Sequence, residues 1–271
     1  MKNFTAANQK GGVGKTNTNC NFAHFLVKLE NPTVIVNGDE QEDTNDNMAE
    51  YALPGVQTHQ LFGTEPLRLP PVLGQLTLIA SDREKMRELE ESDIDDVELV
   101  RNLRARLAEL APHFNYAVFD TAGANSRIAN AFLIVSNFVT VPTKIDEHSI
   151  RESVETIGRI GGIKAHPEPE LRNEHLTFLG LLVNEYDPRQ PWQVRQFNKM
   201  QEDYGHLMVP FPITDRQAYR EAVSARVPVW RLRDDDGTHI KTAAREAGKE
   251  IIPVFIYFIK HMEAPEVEVT Q

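Results

Sequence analysis

The run Asn8-Gln9-Lys10-Gly11-Gly12-Val13-Gly14-Lys15-Thr16 follows directly on an apolar-alternating opening, Asn3-Phe4-Thr5-Ala6-Ala7. A short strand that breaks into closely spaced glycines and then Lys-Thr is built to cradle phosphates. Gly11, Gly12 and Gly14 permit backbone conformations and close approaches that a Cβ would block. Successive N–H groups then converge on an anion, and the helix predicted over 15–29 adds the positive end of its dipole. In this reading Lys15 reaches the β- and γ-phosphates, and the Thr16 hydroxyl is a Mg²⁺ ligand. Gly11, Gly12, Val13, Gly14, Lys15, Thr16 and Asn17 make up the nucleotide-binding segment.

Apolar runs alternate with helical patterns along the whole chain. Strands are predicted at 3–7, 33–36, 76–80, 116–119, 138–141, 177–183 and 207–209. Helices are predicted near 15–29, 97–110, 126–133, 150–160, 194–203, 216–225 and 242–260, with Pro253 kinking or dividing the last. The alternation implies an α/β fold: a single domain with a mostly parallel twisted sheet flanked by helices on both faces. Ligands of such sheets bind at the carboxyl ends of the strands. Segments 52–74 and 161–173 read as connections, and 82–92 as a solvated helix face. The domain is expected over 1–262, followed by an acidic C-terminal tail over 263–271.

The chain of 271 residues is 41% apolar, enough for a core, and no run approaches the length of a membrane span. Its single cysteine, Cys20, excludes an internal disulfide, falls on the first helix and is expected to pack there. The opening strand and loop leave no room for a signal peptide, so a cytoplasmic location is expected. The net charge of −11 argues against a general nucleic-acid coat, but 189–233 alone carries eight basic against four acidic residues. His113, His148 and His166 are scattered, and no zinc spacing or nucleophile-elbow serine occurs.

The strict phosphate-loop pattern asks for glycine where Gln9 stands, and a second lysine, Lys10, precedes the glycine pair. With that deviant form the chain resembles the ParA/MinD group of deviant Walker A ATPases, and Asn8-Gln9 is most similar to the short ParA partition branch. The resemblance implies a P-loop NTPase fold with ATP and Mg²⁺ as cofactors. It implies that Lys10 crosses a homodimer interface to the partner's nucleotide and is catalytic with Lys15 and Asp39. The second strand ends Asn37-Gly38-Asp39-Glu40-Gln41, where the group has Asp-x-Asp-Pro-Gln. Asp39 then belongs to switch I, near the Mg²⁺ shell and the attacking water, while Asn37 and Glu40 depart from the pattern. A later apolar strand ends in Asp120, the Walker B arrangement, which gives Thr16, Asp39 and Asp120 as the metal set. Thr121–Ser126 resembles switch II.

Further along, Asn184 is placed to read the adenine edge, with Pro210 in the segment that follows. By position in the family, Arg189 and Arg216 lead the DNA-binding candidates, with Arg195, Lys199 and Arg220 behind them. The implied function is a plasmid or chromosome partition switch. It would dimerise with ATP, sit on non-specific DNA and hence the nucleoid, and let go when a ParB-like centromere-binding protein stimulates slow hydrolysis. Two alternatives stand beside it. Asn17, Asn37 and Glu40 motivate a nucleotide-gated scaffold of low turnover. The other is a MinD-like positioning ATPase, against which the acidic tail predicts no stable membrane association.

Overall fold

The computed structural model describes residues 1–41, 43–123 and 125–264. Among them seven strands form one sheet: β1 (Lys2–Ala6), β2 (Thr33–Gly38), β3 (Ala52–Gln57), β4 (Leu76–Ala80), β5 (Tyr116–Thr121), β6 (Phe138–Thr143) and β7 (Thr177–Val183). Their order is β3-β4-β2-β5-β1-β6-β7 and every pairing is parallel. The helices are α1 (Lys15–Lys28), α2 (Asp43–Asn47), α3 (Arg83–Glu90), α4 (Asp96–Leu110), α5 (Arg127–Val135), α6 (Glu147–Lys164), α7 (Pro191–Tyr204), α8 (Gln217–Ser224) and α9 (Thr242–Glu263).

Strand alternation sends neighbouring side chains to opposite faces, and two separate cores result. On one face Val34, Val36, Ala117 and Phe119 pack with the apolar sides of α4, α5 and α6. On the other, Phe4, Ile35 and Val118 pack with α1, α8 and α9. Phe4, Phe22, Phe255 and Phe258 form a ring cluster there, with Phe4 and Phe22 centroids 4.6 Å apart. This cluster pins α1, and so the loop before it, onto β1.

The predicted parallel sheet with helices on both faces is what the chain forms. Four local expectations need correction. Segment 52–57, read as part of a connection, is the edge strand β3; Pro54 is tolerated because an edge has no second partner to hydrogen-bond. The strand expected at 207–209 is instead a 3₁₀ turn, Gly205–Leu207, with one bridge from Met208 to Leu181; three residues are too few for a ladder. Helix α6 runs on through Gly161 and Gly162 to Lys164, because buried Ile160 and Ile163 hold that turn against the core. Pro253 does not divide α9: buried Ile251, Val254, Phe255 and Phe258 anchor the helix on both sides of it. The expected tail lies, from Pro265 on, outside the described residues, and α9 itself ends at Glu263.

Candidate nucleotide-binding site

The carboxyl ends of β1, β2, β5 and β7 meet at one edge of the sheet. The glycine loop leaves β1 there and enters α1 at Gly14, whose left-handed φ of 93° makes it the helix cap. A Cβ on Gly14 would lie 2.0 Å from Asn184 Nδ2, and one on Gly123 would lie 2.9 Å from Gln9 O and 3.1 Å from Lys15 Nζ. The loop is therefore clamped between the end of β7 and the segment after β5. Asn184, 4% exposed, donates from Nδ2 to Val13 O at 2.8 Å, so that donor braces the loop.

Lys15 is 7% exposed, and its Nζ rests on Lys10 O at 3.2 Å. Burial holds its ammonium below the usual lysine range, with Asp120 and Asp39 opposing that shift. Asp120 is 1% exposed and saturated with donors. Its Oδ2 accepts from Thr16 Oγ1 at 2.8 Å and also from Thr44 Oγ1; its Oδ1 accepts from Asn19 Nδ2 at 2.7 Å. Burial still raises its carboxyl above the ordinary value despite those bonds and Lys15. Burial likewise raises Asp39, against the pull of a hydrogen bond from Gln41 N. A buried carboxylate beside a hydroxyl at a phosphate loop suits Mg²⁺, which prefers oxygen ligands and takes many of them from phosphate and water. Among the described residues no three His, Cys, Asp or Glu side chains form a metal cage by themselves.

The neutral Asn37 has a directional structural role. It is fully buried, and its Nδ2 donates to Asn45 Oδ1 at 2.9 Å and Ser81 Oγ at 2.8 Å. Ser81 N and O in turn hold Asn45 Oδ1 and Nδ2, at 3.1 and 2.8 Å, which sets the amide so that Asn37 must donate. Asn37 Oδ1 accepts from Asp39 N, and Ser81 Oγ donates to Asp39 O, both at 2.9 Å. The backbone of Asp39 is thus gripped on both sides. Thr44, Asn45, Ser81 and Asn19 carry no motif of their own, and no local signal in the sequence ties them to Asp39 or Asp120.

Lys10 does not line its own cleft. Its Nζ binds Asp146 Oδ1 at 2.9 Å and Ser149 Oγ at 2.7 Å, at the start of α6. The bonds from Lys10 and Ser149 bring the Asp146 carboxyl below its usual range even though burial opposes them. The cleft beside the loop has a volume of about 900 Å³ and brings Lys15, Thr16, Asn17 and Asp39 together with Ser224 and Arg226. A pocket of about 120 Å³ adjoins it between Gly14, Asn184, Thr214 and Tyr219. Pro210 is exposed and lies outside both. Asn17 accepts from Asn21 Nδ2 at 2.9 Å within α1.

The basic segment divides into two kinds of residue. Arg216 donates from Nε to Glu250 Oε1 at 3.1 Å and ties α8 to α9. Arg189 and Arg220 pair with Asp187 and Asp215 at 2.8 and 3.0 Å. Arg195 and Lys199 are exposed on one face of α7, a turn apart, and neither has an ion-pair partner among the described residues.

A family model described as AAA domain matches residues 1–173. The chain belongs to this ParA/MinD-type ATPase family. Its P-loop fold and deviant loop are those the resemblance implied. Protein IncC of Escherichia coli is 27% identical over 268 residues, covering 97% of this chain and 70% of IncC. The chromosome-partitioning ATPase Soj of Thermus thermophilus is 27% identical over 191 residues, 70% of this chain and 71% of Soj. Among solved structures, apo McdA of Cyanothece superposes with a TM-score of 0.75 at 17% identity, covering 95% of this chain and 99% of McdA. A putative plasmid partition protein of Borrelia burgdorferi bound to AMPPNP gives 0.71 at 17% identity, covering 96% and 98%. Among the described residues no helix is long and apolar enough to cross a membrane.

Proposed function

We propose that the chain is an ATP-dependent dimerising switch of the partition type, binding non-specific DNA in its ATP state and released by a ParB-like partner. The observation that carries this reading is the convergence on buried Asp120 of Thr16 from the phosphate loop and Thr44 from α2, with Lys15 beside them. One carboxylate thereby couples the nucleotide loop to the segment that follows Asp39. The name of Soj supports a partition role, and the AMPPNP bound to the Borrelia protein of the same fold supports a nucleotide ligand.

Bound Mg²⁺-ATP supplies the scissile phosphoryl group and the divalent charge that offsets it. Thr16, Asp39 and Asp120 would hold the metal side, and the loop amides with Lys15 would hold the phosphates. Lys15, desolvated and flanked by carboxylates, gains most from an arriving anion. Asp39, its backbone fixed by Asn37 and Ser81, orients a water by accepting its hydrogen bond. Lys10 faces away from its own cleft; in the dimer reading it leaves Asp146 and Ser149 for the partner's nucleotide. Arg195 and Lys199, exposed and unpaired, lead the DNA surface, while Arg216 holds α8 on α9.

Light scattering and DNA binding with ADP, ATP and a non-hydrolysable analogue test the proposal. The analogue should give a dimer and DNA affinity that falls with salt at a log–log slope of roughly −2 to −4. A monomer in every nucleotide state, or a salt-independent interaction, refutes it. Phosphate release that stays at the Lys15→Ala level with DNA and partner present favours the low-turnover scaffold, and ATP-dependent co-sedimentation with liposomes favours a MinD-like role.

A further inference from the structure

Arg226 occupies a backbone conformation that ordinarily goes to glycine. Helix α8 ends in two crossed bonds: Arg226 N donates to Val223 O at 3.0 Å, and Val227 N to Ala222 O at 3.1 Å. This paired closure requires a left-handed residue just past the cap, and Arg226 takes it with a φ of 55°. A Cβ is disfavoured there, so the side chain is kept at a cost to the fold. The pull of the α8 dipole on a cation does not explain the choice. Ala225, one residue earlier, is exposed and right-handed with φ −84°, and a cation there would meet the same dipole without strain.

Where Arg226 sits is more telling. It lines the nucleotide cleft and, with Asn17 and Asn47, also a small adjoining cavity. Asn17 is the third residue of α1, so Arg226 shares both openings with the positive end of that helix, where a cation is unfavourable unless an anion joins it. Arg226 has no ion pair or side-chain hydrogen bond among the described residues. Lys15 and Arg226 are the two cationic side chains among the described residues that line the cleft, against Asp39, Glu40, Asp43, Asp46 and Glu185. A strained, unpaired arginine beside a helix N-terminus, in a cleft otherwise rich in carboxylates, matches a phosphate.

Resting on the nucleotide reading above, we infer that Arg226 is a phosphate-binding residue. It acts in cis on the phosphate next to Asn17, a position that the ParA/MinD resemblance puts beside the α-phosphate, and so serves ATP and ADP alike. Lys15 serves the β- and γ-phosphates, so the two cations divide the polyphosphate between them.

Calorimetric titration of Mg²⁺-ATP and Mg²⁺-ADP into the full chain and into Arg226→Gly tests this. Both nucleotides should bind roughly tenfold more weakly, by the same factor. At the same time the melting temperature of the nucleotide-free protein should rise by about 1–4 °C, because glycine relieves the left-handed strain. Arg226→Lys keeps both cation and strain and should retain most of the affinity. Unchanged affinity in Arg226→Gly, with binding abolished in Lys15→Ala, overturns this inference and leaves the nucleotide reading intact. A loss confined to ATP contradicts the α-phosphate placement. A fall in melting temperature alongside affinity makes Arg226 a strut of α8 and also overturns the inference. Failure of the wild-type chain to bind either nucleotide instead brings down the nucleotide reading itself.

Discussion

The edge of the sheet around Asp120 and the helical face over α7 and α8 both carry many charges, yet they use them differently. Around Asp120 the charged groups are buried, few and tied to specific donors: Asp120 is 1% exposed and accepts from Thr16, Thr44 and Asn19. On and beside α7 and α8 the charges are numerous and mostly solvated; the Arg189 side chain, just before α7, is 82% exposed and paired with its neighbour Asp187. Desolvation makes each buried charge sensitive to one added or removed partner. Exposed pairs are individually worth little, and their effect on a ligand comes from the sum. A single substitution should therefore disable the first region, whereas the second should respond in proportion to the charges changed.

The sharpest way to break the contrast is Lys15→Ala, which should lower ATP affinity at least roughly a hundredfold by calorimetry. A loss of only a few-fold would mean that burial around Asp120 does not concentrate binding energy as argued. Next comes a titration. His24, half-buried on α1 beside Tyr51, has its imidazole pushed down to about 4 from 6.5, by desolvation first and then by Arg231. The unfolded chain takes the proton before the folded one, so stability is full above pH 6.5 and is lost as pH falls towards 4. Denaturant midpoints should show about 2 kcal/mol of loss across that window, and His24→Phe should remove most of it.

On the exposed face, reversing Arg195 and Lys199 together should weaken DNA binding roughly tenfold and make the salt slope shallower by about 2. Reversing Arg189 should do less, since Asp187 already offsets it, and Arg216→Ala should appear mainly as lost stability because Glu250 is left unpaired. Equal effects from these three variants would dissolve the distinction between free and paired cations. The smallest expected effect is on the nucleotide-free fold. Burial raises Asp120, so the folded state takes up that proton first; the stability from protonation is full below the ordinary 3.8 and is lost as pH rises through the folded value. Asp120→Asn should remove that dependence and raise stability at neutral pH by about 1 kcal/mol in denaturant titrations.

The phosphate loop, α1 and Asp120 were legible in the sequence because their signals are local: glycines before Lys-Thr, an apolar run ending in Asp. Membership of the ParA/MinD-type family followed from those residues. The edge strand β3 was not legible, because Pro54 and Gly55 read as turn formers until β4 supplies a partner. Asn37 read as a missing charge, and in the fold it is a buried donor. That role depends on Ser81, 44 residues away, which no spacing rule connects to it. Lys10 stood out by its position beside the glycines, but its docking on Asp146 and Ser149 needs α6 folded across the sheet edge.

By itself the amino-acid order determined a phosphate-gripping loop on a parallel α/β sheet, since glycine placement and apolar periodicity act within a few residues of the chain. Only the tertiary structure decided which polar side chains hold Asp39 and Asp120 and which cations are spent on carboxylates. It also decided that the left-handed position just past the end of α8, at the mouth of the cleft, would fall on an arginine. Those outcomes depend on distance and desolvation between segments far apart in sequence, and neither quantity exists before the chain is folded.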